Sequence, residues 1–256
     1  MRMKIAAAIL AAGVMLCGSA ASADVLDYLK PIWMQVIDSG SNASEKQMPE
    51  SVAVTCADER MTVEASGVLL ENDYAAEAHV YAVLRNNSRE RLPIYSVQMT
   101  ALDAAGKKLH EESYVSHLPD VVEPGETMLA SEWMYDFVKD VSKVASIRIS
   151  IETNSRVNEK WIRNEDVRAW IDGKYLCVKF TNTTDATIFG VVCGATVSDA
   201  DGQILDMLLQ SEYETDDLGI EPGSSVIWRK ELEDTAMLKL NTDAVCEAWA
   251  YQIESL

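Results

Sequence analysis

Positive charge is scarce in this chain: 22 Lys and Arg stand against 41 Asp and Glu in 256 residues, a formal net charge of −19. Phosphate backbones and anionic lipid surfaces are gripped by clustered cations, so nucleic acid is excluded as an expected partner. Histidine is rarer still, with His79, His110 and His117 as the full set of three. No C-x-x-C pair exists, which removes the usual signature of a structural zinc site. No G-x-S-x-G is present, which removes the nucleophile elbow of an α/β hydrolase. Beyond residue 23 no apolar run approaches the roughly 20 residues that a membrane-spanning helix needs.

What is present fits an ordinary globular protein, with 48% hydrophobic and 25% charged residues. Arg2 and Lys4 precede an uncharged stretch from Ile5 to Cys17, and small residues close it at Ala21-Ser22-Ala23. This is the pattern of a secretory signal peptide over 1–23, which places the mature chain outside the cytoplasm, with periplasm and extracellular space both open. Residues 24–50 read as an amphipathic helix followed by a linker. Apolar residues at 25, 26, 29, 32, 33, 36 and 37 make one stripe, Pro31 interrupts it, and 39–47 contain no apolar side chain larger than alanine.

Laid on itself with a shift of 96, the chain repeats: Asn86 falls on Asn182, Thr100 on Thr196, Asp103 on Asp199, Gly106 on Gly202 and Leu109 on Leu205. With two more residues inserted, Glu123-Pro124-Gly125 falls on Glu221-Pro222-Gly223. Two copies of one compact module are expected, over 51–154 and 155–256. The hydrophobic period inside each is two, the period of a strand. Tyr95, Val97, Met99 and Ala101 in one copy, and Phe189, Val191, Cys193, Ala195 and Val197 in the other, are expected to face a core with the opposite face wet. Asp103-Ala104-Ala105-Gly106 and Asp199-Ala200-Asp201-Gly202 supply hairpin turns. Many short strands with turns between them predict an all-β chain of two tandem antiparallel sandwiches.

The stretch Thr100 to Leu109, preceded by Asn86-Asn87-Ser88 and followed by Glu123-Pro124-Gly125-Glu126-Thr127, resembles the FxLYD type of bacterial immunoglobulin-like domain. Asn182-Thr183-Thr184, Asp199 to Gly202 and Glu221 to Ser225 repeat that pattern. Leu102 and Ser198 stand where the family carries its tyrosine. The resemblance implies immunoglobulin-like sandwiches that act as extracytoplasmic interaction modules, and it carries no catalytic residues over.

Other features are weighed on their own chemistry. Cys193 and Cys246 are both placed inward by alternation and are the preferred disulfide of the second module, while Cys177 is expected to look outward and Cys56 has no evident partner. The histidines read as unrelated surface imidazoles. Asp199-x-Asp201-Gly202 opens like a calcium loop but lacks the later ligands, and the first copy manages with Asp103 alone, so turn chemistry is the simpler reading. Glu212, Glu214, Asp216 and Asp217 read as a solvated acidic loop. No cofactor is called for. The expected function is an exported, non-catalytic binding protein whose ligand is a protein, a glycan or a second copy of the chain. The alternative is an extracytoplasmic hydrolase with a dispersed carboxylate site.

Overall fold

The computed structural model describes residues 52–71, 77–135, 138, 141–155, 159–210, 219–240 and 243–255. The expected signal peptide, the expected amphipathic helix and the acidic run at 212–217 lie outside these residues. The described chain is all-β, built of several antiparallel sheets, with one six-residue helix, α1 (Asp234–Lys239), among its regular elements.

The first half holds β1 (Ala53–Cys56), β2 (Met61–Glu71), β3 (Glu77–Asn86), β4 (Leu92–Leu102), β5 (Lys108–Glu112), β6 (Ser116–Leu118), β7 (Val121–Val122), β8 (Thr127–Met134) and β9 (Ser146–Thr153). The second holds β10 (Glu159–Asn164), β11 (Val167–Asp172), β12 (Tyr175–Thr181), β13 (Val191–Ser198), β14 (Ile204–Gln210), β15 (Ser225–Glu231) and β16 (Val245–Ser255). Sheet orders are β1-β9-β4-β5, with β7 also on β4, and β2-β3-β8-β6 in the first half; they are β10-β16-β13-β14 and β11-β12-β15 in the second. Among the described residues, no sheet takes strands from both halves. One strand breaks the correspondence: β1 runs parallel to β9, whereas β10 runs antiparallel to β16.

The four sheets stack as layers, and strand alternation shows how. Along β3, Ala78, Val80, Ala82 and Leu84 join a core shared with Val97 and Met99 of β4 and Ile147 and Ile149 of β9. The intervening Tyr81 and Val83 join a second core, together with Leu118 and Leu129 of the first half and Val178, Phe180, Cys193 and Trp249 of the second. The sheet β2-β3-β8-β6 is therefore buried on both faces, one against its own partner sheet and the other against the second half. At roughly 25 cal/mol per Å² of apolar surface removed from water, each valine, leucine, isoleucine or methionine among them contributes about 1.5–3 kcal/mol. Glycine makes the close approach possible. A β-carbon on Gly67 would lie 1.8 Å from the Ile204 carbonyl oxygen, and one on Gly194 would lie 2.3 Å from Leu129 Cδ1.

This packing corrects the expectation of one wet face. Every residue from Val191 to Val197 is buried, because β13 has a sheet on either side. In β4 the inward set runs Leu92, Ile94 and Val97, and Tyr95 is 62% exposed because the ladder with β9 is irregular between Ile94 and Ser96. Phe189, 50% exposed, precedes β13.

Turn residues do what their types suggest, in matched pairs. Asn86 Nδ2 donates to the carbonyls of Glu90 and Val122, and its Oδ1 accepts from Ser88 N–H and Oγ. Asn182 makes the same set with Ala186, Ile220 and Thr184. The two backbones also match: Gly125 N–H donates to Asn86 O, and Gly223 N–H to Asn182 O. Gly125 and Gly223 have φ of 82° and 76°, left-handed values that glycine adopts without a β-carbon penalty. Asp103 Oδ1 accepts from Ala105 and Lys107 N–H, and Asp199 Oδ1 accepts from Asp201 and Gln203 N–H.

The cysteine expectation is overturned. Cys193 pairs with Ala250 across β13 and β16, while Cys246 pairs with Val197, four residues along. That offset is about 13 Å at 3.3 Å per residue, against under about 7 Å between bridged α-carbons. Both are free thiols, as are Cys56 and Cys177. Burial pushes the Cys193 thiol pKa upward and keeps it inert. Cys177 does share a face with Tyr175 and Lys179, yet it is buried, flanked on the adjacent strands by Trp170 and Arg229.

Candidate functional site

Among the described residues, side chains of both halves line two clefts. One, of about 420 Å³, is lined by Ser116, Ser131, Glu132 and Trp133 of the first half and by residues 207–210 and 229–230 of the second. Register explains its walls. Ser116 pairs with Ser131, and Trp133 stands two residues further along the same face of β8. Opposite, Leu209 pairs with Gly194 and Met207 with Thr196, which places both on the β14 face toward the first half.

Trp133 is held by its neighbours. Trp133 stacks on Tyr135 with centroids 4.6 Å apart and lies 4.5 Å from the ring of His79, its cross-strand neighbour. Its indole Nε1 donates to Glu77 Oε2 at 3.0 Å. Trp133 nevertheless remains 39% and Tyr135 58% exposed. Behind them Tyr81 OH and His79 Nδ1 are 3.4 Å apart. His79 is 4% exposed, which corrects the reading of the histidines as surface groups.

A fixed cation lies at the cleft. Lys230 Nζ sits 5.9 Å from the Tyr81 ring, donates to the Met207 carbonyl at 3.1 Å and is ion-paired with Asp206. The Asp206 carboxylate is fully buried and also accepts from Met207 N–H at 2.7 Å and from Glu233 N–H, the N-cap of α1, at 3.1 Å. A buried carboxylate with this many donors is held in place by its surroundings. Glu132, also in the lining, accepts from Trp133 N–H at 3.1 Å, and burial pushes its carboxyl pKa above the ordinary value, with Glu112 adding to the rise.

The second cleft, about 530 Å³, is polar and internally paired. Arg85 is bonded to Glu64 and to the Gly125 carbonyl, and Arg163 to Glu126 at 2.8 Å. At its back Trp249 Nε1 and Tyr251 OH donate to Thr127 Oγ1 and O, at 2.9 and 3.2 Å, tying the halves together. Its charges answer one another across the interface.

The three histidines are not brought into one site. His117 Nε2 lies 3.3 Å from Asp120 Oδ1 and its Nδ1 lies 3.2 Å from the Val115 carbonyl, so both ring nitrogens face oxygen. Burial raises the Asp120 pKa, partly offset by His117. His110 stands opposite Ala101 at the position that Asp206 takes opposite Val197. Among the described residues no group of three or more His, Cys, Asp or Glu is placed to hold a metal ion. Among the same residues no helix is long and apolar enough to cross a membrane.

Trp133, with Tyr135 stacked on it from outside the lining, is the part of the cleft that sequence reasoning missed. Its signal was a disagreement between the copies: at a shift of 98, Trp133 falls on Glu231 and Tyr135 on Glu233.

No protein-family model matches the sequence, and no curated protein matches it. Among solved structures, a transglutaminase of red sea bream is similar at 10% identity and a TM-score of 0.20. The match covers 77% of this chain and 29% of that protein.

Proposed function

We propose that the chain is an exported, non-catalytic binding protein made of two duplicated immunoglobulin-like modules of the FxLYD kind, over 51–154 and 155–256. The matched clasps of Asn86 and Asn182, the matched Asp103 and Asp199 turns and the parallel sheet orders support the duplication. The signal-peptide pattern of residues 1–23 supports export. The observation that carries the binding role is the cleft between the halves, where Trp133 stands in the wall, held from outside the lining by Tyr135, and remains 39% exposed. A pre-formed concavity with aromatic walls and a few fixed polar groups is the usual form of a binding site.

A second reading, a hydrolase acting through carboxylates, rests on Glu132, whose raised pKa is what a general acid requires. Replacing residue 135, and separately the exposed Val245, with a photoreactive benzophenone amino acid in the producing cells separates the readings. An adduct of intact ligand at 135 and none at 245 supports binding. Adduct yields equal at the two positions, or none at 135, overturn it. Ligand that the purified chain cleaves, and that Glu132→Gln leaves whole, supports the hydrolase.

A further inference from the structure

We infer that the outer face of the sheet β11-β12-β15 docks an acidic segment of a partner protein, whose carboxylates meet Arg168, Lys179 and Arg229. On the inward side of these strands Leu176, Val178, Phe180 and Trp228 enter the core. Alternation puts Arg168, Trp170, Lys179, Ile227 and Arg229 on the opposite face. Register sets Arg168, Lys179 and Ile227 in one row across the sheet, with Arg229 two residues further along β15.

This face is cationic in a chain whose acidic side chains outnumber its basic ones 41 to 22. Its own carboxylates are engaged at one end: Glu231 pairs with Lys174 at 2.6 Å, and Asp172 lies 4.0 Å from Arg229. Among the described residues no carboxylate pairs with Arg168 or Lys179, which stand directly opposite each other. Like charges so placed destabilise a sheet, and a carboxylate bound between them removes the repulsion. The repeat points the same way. At a shift of 96 Lys179 falls on Val83, and at 98 Ile227 falls on Leu129. Val83 and Leu129 belong to the face with which the first half packs on the second. In the second copy that face stays open, with Ile227 47% and the Arg229 side chain 56% exposed.

Alternate side chains of an extended peptide are about 6.6 Å apart, close to the roughly 7–8 Å between diagonal cross-strand neighbours such as Lys179 and Arg229. Ile227, exposed in the same row as two cations, suits an apolar side chain beside the carboxylates and not a hydroxyl-rich polyuronate. An anionic bilayer is opposed over its whole extent by the net charge of −19. Neither Arg168 nor Lys179 lines the cleft that holds Trp133, so this face and that cleft are tested separately.

The test titrates the full chain, by calorimetry and fluorescence anisotropy, with an octapeptide alternating valine and glutamate and with its valine–glutamine counterpart. Polygalacturonate and phosphatidylglycerol vesicles form separate arms, and sedimentation follows self-association. We expect saturable binding of the glutamate peptide that weakens with salt, and at least tenfold weaker binding of the glutamine peptide. Arg168→Ala and Lys179→Ala should each weaken it at least threefold, while Lys160→Ala, which removes a lysine paired with Glu254 on another sheet, should leave it unchanged. Lys179→Glu should abolish binding and raise the thermal midpoint, because it sets an opposite charge across from Arg168. Failure of the glutamate peptide to bind, equal binding of the two peptides, or binding unchanged by Lys179→Glu overturns the proposal. Binding of polygalacturonate or vesicles in place of the peptide, or self-association that Lys179→Glu removes, gives the face another occupant and overturns the acidic segment.

Discussion

The two halves agree at their turns and part company on their strand faces. Asn86 and Asn182 make bond-for-bond equivalent clasps, and so do Asp103 and Asp199, because a turn's polar needs are local and do not change with what packs outside. The faces answer to neighbours instead. Where the first half has His110 opposite Ala101, the second has a buried Asp206 that holds Lys230 and accepts from the Glu233 N–H just before α1. Where the first has Trp133 and Tyr135, the second has Glu231 and Glu233. The halves are alike where backbone turns set the requirement and differ where the packing neighbour does.

The largest effect that tests this contrast belongs to the seam. Gly67→Ala sets a β-carbon against the backbone of Ile204, which cannot rotate away, and we expect a loss of about 3 kcal/mol or more in urea unfolding. Gly194→Ala meets the end of the Leu129 side chain, which can shift, and should cost about 1 kcal/mol. Equal costs would mean that the seam is looser than described.

Asp206→Ala leaves the Lys230 ammonium and two backbone donors without their acceptor, and should cost about 3 kcal/mol, moderated because Lys230 reaches water. His110→Ala at the matched position should cost less than half of that. Asn86→Ala and Asn182→Ala should each cost about 2 kcal/mol, because each strands two carbonyls that its amide now satisfies. Values that differ more than twofold between the two asparagines would break the equivalence of the halves.

The smallest effect concerns pH. Burial raises the Glu132 pKa, so the folded chain binds that proton more tightly than the unfolded chain does. The resulting stability is complete below the unfolded value, about 4.3, and is lost as pH rises through the folded value. Asp58 works in the opposite sense: Arg60 lowers its pKa, so its contribution is present at neutral pH and lost on acidification. Glu132→Gln should therefore raise the melting temperature relative to the parent at pH 7 and not at pH 4. A larger gain at pH 4 would contradict the sign.

Strand identity and turn placement were legible because alternation and Asp-x-x-Gly or Pro-Gly turns are local signals. Asp103-Ala104-Ala105-Gly106 is read as a turn without knowing anything beyond it. The contact between halves was not legible. Whether Val192 or Thr196 faces water depends on what lies opposite β13, and period-two alternation looks the same whether its second face is wet or covered. The proposed disulfide failed for a related reason: alternation assigns Cys193 and Cys246 to inward faces but does not set the register that separates them by four residues. The aromatic wall escaped because His79, Trp133 and Tyr135 come from two strands 54 residues apart at the His79–Trp133 pair.

The central claim is that the halves share one core through Gly67, Gly194, Leu129 and Trp249 and so behave as a single body. Differential scanning calorimetry of the full chain tests it most directly. We expect one transition for the sheets of both halves, with calorimetric and van't Hoff enthalpies equal. Two separated transitions, one removable by Asn86→Ala and the other by Asn182→Ala, would contradict it.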